Sequence, residues 1–155
     1  MLAWPILSKG VLVAACLAAG WGDLSVRRIP NWLCAATAIA GLGFAFLAGG
    51  WPALGAHAAH AALALVIGMG LFAVGAFGGG DAKFYAAVAA WFALGEAAVL
   101  LMAVALCGLV LLLVWFTYRR AAGKPVRRTG GDPADSLPYG LAIGGGAMIG
   151  SFMLA

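Results

Sequence analysis

The chain has 155 residues, of which 65% are hydrophobic and only 9% are charged, and its mean hydropathy is +1.06. A chain of this composition cannot expose its surface to water, which excludes a soluble globular protein and predicts an integral membrane protein. The formal net charge of +4 comes from basic residues scattered singly and in pairs beside apolar segments. That arrangement indicates membrane topology and not nucleic-acid binding.

The apolar segments predict a series of membrane helices. A single helix from Ala82 to Tyr118 would be about 55 Å long, against a hydrocarbon thickness of about 30 Å, so it must break. Gly95-Glu96 is the polar interruption within that apolar run, so we expect the break there. We therefore expect an all-α fold of about six transmembrane helices that form one domain, residues 1–155. The expected helices cover residues 3–22, 31–49, 56–77, 82–94, 97–118 and 138–155.

The first apolar run ends at an aspartate. Asp23 is followed by Leu-Ser-Val-Arg-Arg-Ile-Pro-Asn31 before the second run begins. A carboxylate at the end of a membrane helix is costly to keep, so it is a functional-site hypothesis by default.

The third apolar run ends at Gly78-Gly79-Gly80-Asp81, followed by Ala82-Lys83. Glycines adopt dihedrals that are closed to other residues and let another backbone approach closely, so one hypothesis is a glycine-lined strip that admits an extended peptide beside Asp81. Irregular backbone at membrane depth must be buried in protein or line a wet cavity, where a water nucleophile would be found. The alternative is a tight turn between helices in which Asp81 caps the next helix. The segment alone favours neither hypothesis.

The basic residues predict the orientation of the chain. With six helices, one face carries every lysine and arginine except Lys9, and the positive-inside rule makes that face cytoplasmic. Asp23 and Asp81 then both lie at the cytoplasmic border of the inner membrane, and only the packing of the helices could bring them together. This face comprises the segments 23–30, 78–83 and 119–137.

Other polar residues have simpler explanations. The loop 119–137 is predicted to be a flexible cytoplasmic connector, and its acidic residues Asp132 and Asp135 are predicted to be solvated. His57 and His60 could share a helix face and bind a metal, but without a third ligand nearby we expect histidines at the membrane interface. The three cysteines are isolated in apolar runs and form no metal-binding pair: Cys16, Cys34 and Cys107.

Three motifs occur together and in order along the chain. They are Asp23-x₃-Arg27-x-Ile29-Pro30-Asn31, Gly78-x-Gly80-Asp81-x-Lys83 and Pro138-Tyr139-Gly140. In a chain with six predicted spans, this combination resembles the type IV prepilin peptidase family of GxGD aspartic peptidases. It is most similar to the small members that serve tight-adherence (Flp-type) pili, and the resemblance runs from the first helix to the last.

The resemblance implies an intramembrane-type aspartic endopeptidase. Such an enzyme removes the short basic leader of type IV prepilins and pseudopilins at the cytoplasmic membrane face, after a glycine near the end of the leader. Asp23 and Asp81 match the two catalytic aspartates, and Gly78 and Gly80 match the glycines of the signature. The candidate substrate-binding or site-shaping residues are Gly78, Gly79, Gly80, Lys83, Pro30 and Asn31. Larger relatives also methylate the new pilin N-terminus and carry paired cysteines in the first cytoplasmic loop, which here has none, so methyltransferase activity is not expected.

Two close carboxylates cannot both ionise cheaply, so one keeps its proton at neutral pH. One aspartate would act as base and the other as acid, and the sequence leaves the two roles open.

We expect no metal or organic cofactor, and membrane lipids as the surroundings of the chain. The alternatives are a non-enzymatic pilus assembly subunit and a small proton- or cation-coupled transporter that uses the same aspartates. A transporter would be favoured by inverted repeats with broken midplane helices, and the sequence shows no convincing internal repeat.

Overall fold

A computed structural model describes residues 3–123 and 137–154, and the regular structure within these two ranges is entirely helical. The predicted all-α fold is therefore confirmed for this part of the chain. Residues 124–136, most of the predicted cytoplasmic loop, lie outside the described residues. The helices are α1 (Ala3–Ser25), α2 (Asn31–Ala73), α3 (Gly79–Ala89), α4 (Ala97–Ala121) and α5 (Tyr139–Met153), with a 3₁₀ turn at Leu94–Glu96.

Three helical segments within the described ranges are long and apolar enough to cross a membrane, namely Pro5–Ser25, Asn31–Ala73 and Leu94–Ala121. α5 is also apolar but has only 15 residues. Many large apolar side chains point outward from these helices, which suits a surface in contact with lipid. The chain is thus a membrane protein, and the predicted total of six spans stays a prediction.

α2 is too long to cross a bilayer once, and it folds back on itself near its middle. Its 43 residues are interrupted at Gly50, where φ is 64° and ψ is −152°. This left-handed φ is accessible to glycine at little cost. Pro52 follows, and its missing N–H fits the first turn of a new helix better than a helix interior. The bend divides α2 into a first arm, residues 31–49, and a second arm, residues 51–73.

The two arms run along α3 in opposite directions. The first arm begins beside the start of α3 and ends beside the turn that follows it, whereas the second arm runs from that turn back to the start. The successive contacts are Asn31 with Lys83 and Thr37 with Trp91 for the first arm, and His60 with Phe92 and Gly68 with Ala82 for the second. α3 is consequently enclosed by both arms, and most of its alanines are buried.

The two histidines secure the end of α3. His57 Nδ1 lies 3.0 Å from the carbonyl oxygen of Ala90, and His60 Nδ1 lies 3.0 Å from that of Phe92. The last carbonyls of a helix have no partner within the helix, so these contacts satisfy groups that would otherwise be unpaired in an apolar setting. His60 is only 3% exposed, so it is buried against neighbouring helices, and the predicted position at the membrane interface stays a prediction.

Glycines allow α5 to lie against two other helices at short distance. A Cβ added at Gly146 would lie 2.5 Å from the backbone nitrogen and Cα of Val104 in α4. A Cβ added at Gly144 would lie 3.2 Å from the Cβ of Cys16 in α1. Close approach through small residues is the usual basis of helix association in membranes. α5 runs antiparallel to α1 and α4, so its first residues meet the end of α1.

Several boundaries differ from the predicted ones. α1 continues to Ser25, which places Asp23 inside the helix and not after it. The helix predicted at 56–77 ends at Ala73, and the one predicted at 82–94 spans Gly79–Ala89. The predicted break at Gly95-Glu96 is confirmed. Glu96 accepts a hydrogen bond of 2.8 Å from the backbone N–H of Ala93, so it caps the turn that separates α3 from α4.

We predict that Gly146→Ala destabilises the protein, because the new methyl group would collide with the backbone of Val104, which cannot move aside as a flexible side chain would. Overpacking of this kind costs about 1–3 kcal/mol. Unfolding in detergent micelles measures the effect. Gly10→Ala is the matched control, since a Cβ there meets nothing within 4 Å. Equal stability of the two variants would contradict the prediction.

Candidate active site

The start of α5 holds Asp23 in place. Asp23 lies in the last turns of α1 and is 8% exposed. Its Oδ2 accepts a hydrogen bond of 2.8 Å from the backbone N–H of Gly140, the second residue of α5. The first amides of a helix have no partner within it and carry a partial positive charge, so they are natural donors to a carboxylate. Asp23 therefore stays buried because another helix supplies its hydrogen bond.

Asp81 lies in the first turn of α3 and is partly buried. Burial, together with the negative charge of nearby Asp23, raises the pKa of Asp81 to about 6. Burial disfavours the charged form of any carboxyl group, and a like charge adds to this effect. A substantial fraction of Asp81 thus keeps its proton close to neutral pH.

The glycines before Asp81 provide space and not unusual dihedrals. Gly78 has φ −73° and ψ 136°, which any residue adopts, and Gly79 and Gly80 belong to α3. The prediction of special dihedrals is therefore wrong for this segment. A Cβ at Gly78 would lie 2.5 Å from Asp81 Oδ2, so a side chain here would displace the carboxylate. A Cβ at Gly79 would lie 3.2 Å from the ring of Phe72 in the second arm of α2.

The two aspartates face one cavity of about 710 Å³ at the end of the bundle. Four of the six candidate site-shaping residues line this cavity together with the aspartates, whereas Gly79 and Lys83 do not. Two arginines that we had assigned to topology, Arg27 and Arg28, also contribute to its wall. The lining residues are Asp23, Arg27, Arg28, Ile29, Pro30, Asn31, Gly78, Gly80, Asp81 and Leu137.

Lys83 shapes the site from outside the cavity. Its Nζ donates a hydrogen bond of 3.2 Å to Oδ1 of Asn31, the first residue of α2. Pro30 is the N-cap of α2, and its carbonyl accepts the backbone N–H of Leu33 at 3.0 Å. The contact between Lys83 and Asn31 joins the start of α3 to the start of α2. It thus links the segment that carries Asp81 to the loop that follows Asp23.

Gly140 has a part in the site that sequence reasoning did not assign. A Cβ at this position would lie 2.8 Å from Asp23 Oδ2 and 3.0 Å from Cδ1 of Ile29, so the amide reaches the carboxylate because residue 140 has no side chain. The neighbouring Tyr139 packs its ring against Phe77, with ring centroids 5.4 Å apart. The sequence did contain a signal for Gly140, since Pro138-Tyr139-Gly140 is one of the three motifs that occur in order along the chain. A backbone donor leaves no side-chain trace by which its role could be predicted.

Arg27 adopts an uncommon backbone conformation. Its φ of 54° is in the left-handed region, which costs a residue other than glycine about 1–2 kcal/mol. The preceding residue, Val26, still donates its N–H to the carbonyl of Gly22 at 3.0 Å, so the chain leaves α1 abruptly at Arg27. This turn directs Arg27, Arg28 and Ile29 along the cavity wall.

The chemistry of the cavity is that of paired carboxylic acids. Burial disfavours the charged form of both carboxyl groups. The Gly140 amide and the charge of Arg27 partly offset this effect for Asp23, whereas the negative charge of Asp23 adds to it for Asp81. The two surroundings therefore differ in how well they support a charged carboxylate. Within the described ranges, no group of three or more His, Cys, Asp or Glu residues is placed to bind a metal ion.

Comparison with known proteins gives one match. The model of the type IV leader peptidase family matches residues 10–113, which include both aspartates, the glycine segment, Pro30, Asn31 and Lys83. The matched range ends before Gly140. No curated protein and no solved structure matches the chain.

We predict that Asp81 titrates near pH 6 and that Asp23 contributes to this value. The infrared carboxyl band that Asp81→Asn abolishes should disappear as the pH rises through about 6. In Asp23→Asn the band should titrate at lower pH, because the neighbouring negative charge is gone and burial alone raises the pKa. An unchanged titration in Asp23→Asn would show that the two carboxyl groups do not interact.

Proposed function

The chain belongs to the type IV leader peptidase family, and on that basis we propose that it is an aspartic endopeptidase that cleaves the basic leader from type IV prepilins and pseudopilins. Family membership makes it a peptidase, and does not favour the transporter alternative. The observation that carries the aspartic mechanism is that Asp23 and Asp81 face one cavity, although they lie on different helices. Acid–base hydrolysis of a peptide bond by carboxyl groups requires at least two of them, one as base and one as acid.

The surroundings of the two aspartates support a division of roles. We assign Asp23 as the base, because the Gly140 amide and the charge of Arg27 partly offset the burial that disfavours its charged form. We assign Asp81 as the acid, because it holds its proton to about pH 6. Asp23 would take a proton from water as the water oxygen attacks the scissile carbonyl. Asp81 would give its proton to the developing oxyanion, which yields a gem-diol. Asp23 would then pass its proton to the amide nitrogen as the C–N bond breaks, and Asp81 would take a proton back from a gem-diol hydroxyl, so that the products are a carboxylic acid and an amine.

The distribution of positive charge supports a cytoplasmic active site in the inner membrane. Arg27 and Arg28 line the cavity, and Lys83 lies one helical turn or less from Asp81. At the other end of the bundle, the Lys9 ammonium lies 5.1 Å from the ring centroid of Phe152, near the end of α5. Basic residues concentrate on the cytoplasmic side of membrane proteins.

The bend in α2 supports six passes. Its two arms run in opposite directions, so each counts as one pass, and α1, α3, α4 and α5 supply the rest. α3 has only 11 residues, about 16 Å at the standard rise, and does not reach across the hydrocarbon alone. Enclosure by the two arms gives its polar ends protein partners, which makes so short a pass tolerable.

The short loop between α1 and α2 supports a small, Flp-type enzyme that cleaves without methylating. Only Val26 to Pro30 separate the two helices, and this loop contains no cysteine. It has no room for a further cytoplasmic unit at this place. We therefore propose that the product is a leaderless pilin with an unmodified amino group.

We predict that Asp23→Asn and Asp81→Asn each abolish cleavage, because each removes one of the two proton-transfer groups. The rate should fall by about 10²–10⁴-fold or more. The measurement is the mass of a prepilin-like peptide after incubation with the purified enzyme in proteoliposomes. The peptide carries a basic leader, a glycine before the scissile bond and an apolar segment after it.

Glu96→Gln is the matched control for these variants. It also neutralises one carboxylate, but at the other end of α3, and it keeps an oxygen that can accept the hydrogen bond from Ala93. This variant should cleave like the wild type. Wild-type cleavage by either aspartate variant would disprove the dyad.

We predict that Gly140→Ala lowers kcat by about a hundredfold with little loss of stability. The added Cβ would lie 2.8 Å from Asp23 Oδ2 and force the carboxylate away, and misplacement of a catalytic group by about 1 Å costs about 10²-fold. Gly145→Ala, on the same helix, is the control, because its Cβ would meet only Cys107 Sγ at an ordinary 3.5 Å. Equal activity of the two variants would show that the Gly140 contact does not position Asp23.

A further inference from the structure

A second cavity, which we call the lateral groove, lies beside the catalytic one. Its volume is about 340 Å³, and it is bounded by the second arm of α2, by α4, and by Tyr85 of α3. Its wall is almost entirely apolar, with Leu63, Ile67 and Leu71 on one side and Leu101 on the other. Its one histidine, His60, already uses Nδ1 on the carbonyl of Phe92. The groove therefore offers a surface for hydrocarbon and not for polar groups.

The lateral groove opens sideways, toward lipid. The side chains along its edges are among the most exposed apolar ones, at 50% for Leu63, 55% for Ile67 and 60% for Leu101. These residues lie on two of the helices that are long enough to cross the membrane. A segment that lies in the hydrocarbon can thus enter the groove without passing through water.

Two aromatic rings form the boundary between the groove and the catalytic cavity. Phe77 and Tyr139 both line the groove, and their rings meet edge to face with centroids 5.4 Å apart. Phe77 immediately precedes Gly78, which lines the catalytic cavity, and Tyr139 immediately precedes Gly140, which binds Asp23. Phe77 and Tyr139 therefore line the groove, while the residues that follow them in the chain border the two aspartates.

The side chain of Tyr139 occupies a defined position in this boundary. A Cβ at Gly108 of α4 would lie 3.1 Å from the Tyr139 hydroxyl oxygen, so the glycine leaves the space that the tyrosine occupies. The ring is thus held from one side by Phe77 and from the other by α4.

We propose that the lateral groove is the substrate subsite for the apolar side chains that follow the scissile bond. This inference rests on the proposed function. The catalytic cavity is lined by the charged side chains of both aspartates and of Arg27 and Arg28, so it suits the polar backbone around the scissile bond and not an apolar segment. The apolar groove continues from the dyad into the hydrocarbon, so it suits the membrane-embedded part of the same chain. The groove thereby selects substrates by the size and apolarity of the residues just after the bond.

Site-specific cross-linking tests where the substrate lies. The photoreactive residue p-benzoylphenylalanine replaces either Leu101, in the groove, or Leu106. Leu106 is the control, because it is on the same helix and similarly exposed, at 58%, but lies outside the groove. Both are placed in the full-length Asp81→Asn protein in proteoliposomes, with the same prepilin-like peptide as probe. We expect a cross-link from position 101 to residues that follow the scissile bond, and at least about tenfold less from position 106. Equal yields, or cross-links from position 101 to lipid alone, would overturn the proposal.

A specificity measurement tests what the groove does. Leu101→Trp narrows the groove, and Leu106→Trp makes the same change on the lipid face. For peptides whose segment after the bond is rich in leucine, Leu101→Trp should lower kcat/KM by about tenfold or more, which is the usual effect of misfit in an apolar pocket. For peptides that carry alanine in place of leucine, Leu101→Trp should keep kcat/KM within about threefold of the wild-type value. Leu106→Trp should keep it within this range for both kinds of peptide.

The outcomes separate the two proposals. If Leu101→Trp slows both peptides equally, the groove does not select substrate, even though the enzyme cleaves. If the wild type cleaves neither peptide, the proposed peptidase function fails, while the cross-links still show whether the groove binds an apolar segment.

Discussion

The site is organised around the hydrogen bond from the Gly140 amide to Asp23, which joins the end of α1 to the beginning of α5. A carboxylate is expensive to bury in an apolar bundle unless it is given donors. The free amides at a helix start supply a donor without any side chain. Because α5 also packs against α4 and contacts α3, the position of Asp23 depends on the packing of most of the bundle.

Small residues make that arrangement possible. Gly146 brings α5 onto the backbone of Val104, Gly140 brings it onto Asp23, and Gly78 leaves room for the carboxylate of Asp81. In lipid there is little hydrophobic drive to hold helices together, so close van der Waals contact must do so. The same feature that stabilises the fold therefore also determines the spacing of the two carboxylates.

The surroundings of the dyad differ on its two sides. One side is a cavity with arginine and asparagine side chains, and the other is an apolar groove behind Phe77 and Tyr139. Both surroundings fit the proposed substrate, which changes from polar to apolar near the bond that is cut. The aromatic pair lies where the two surroundings meet, and its tyrosine has both an apolar ring and a polar hydroxyl group.

The sequence by itself determined the membrane location, the helical fold and the family, and it put forward the two aspartates that the structure places at one cavity. Each of these follows from composition or from side-chain chemistry that survives in a linear pattern, such as a carboxylate at the end of an apolar run. Only the tertiary structure decided that Gly140 holds Asp23, that Gly78 provides space and not an unusual φ, and that both arms of α2 lie against α3. These features depend on backbone groups and on distances between helices, which the order of the residues does not specify.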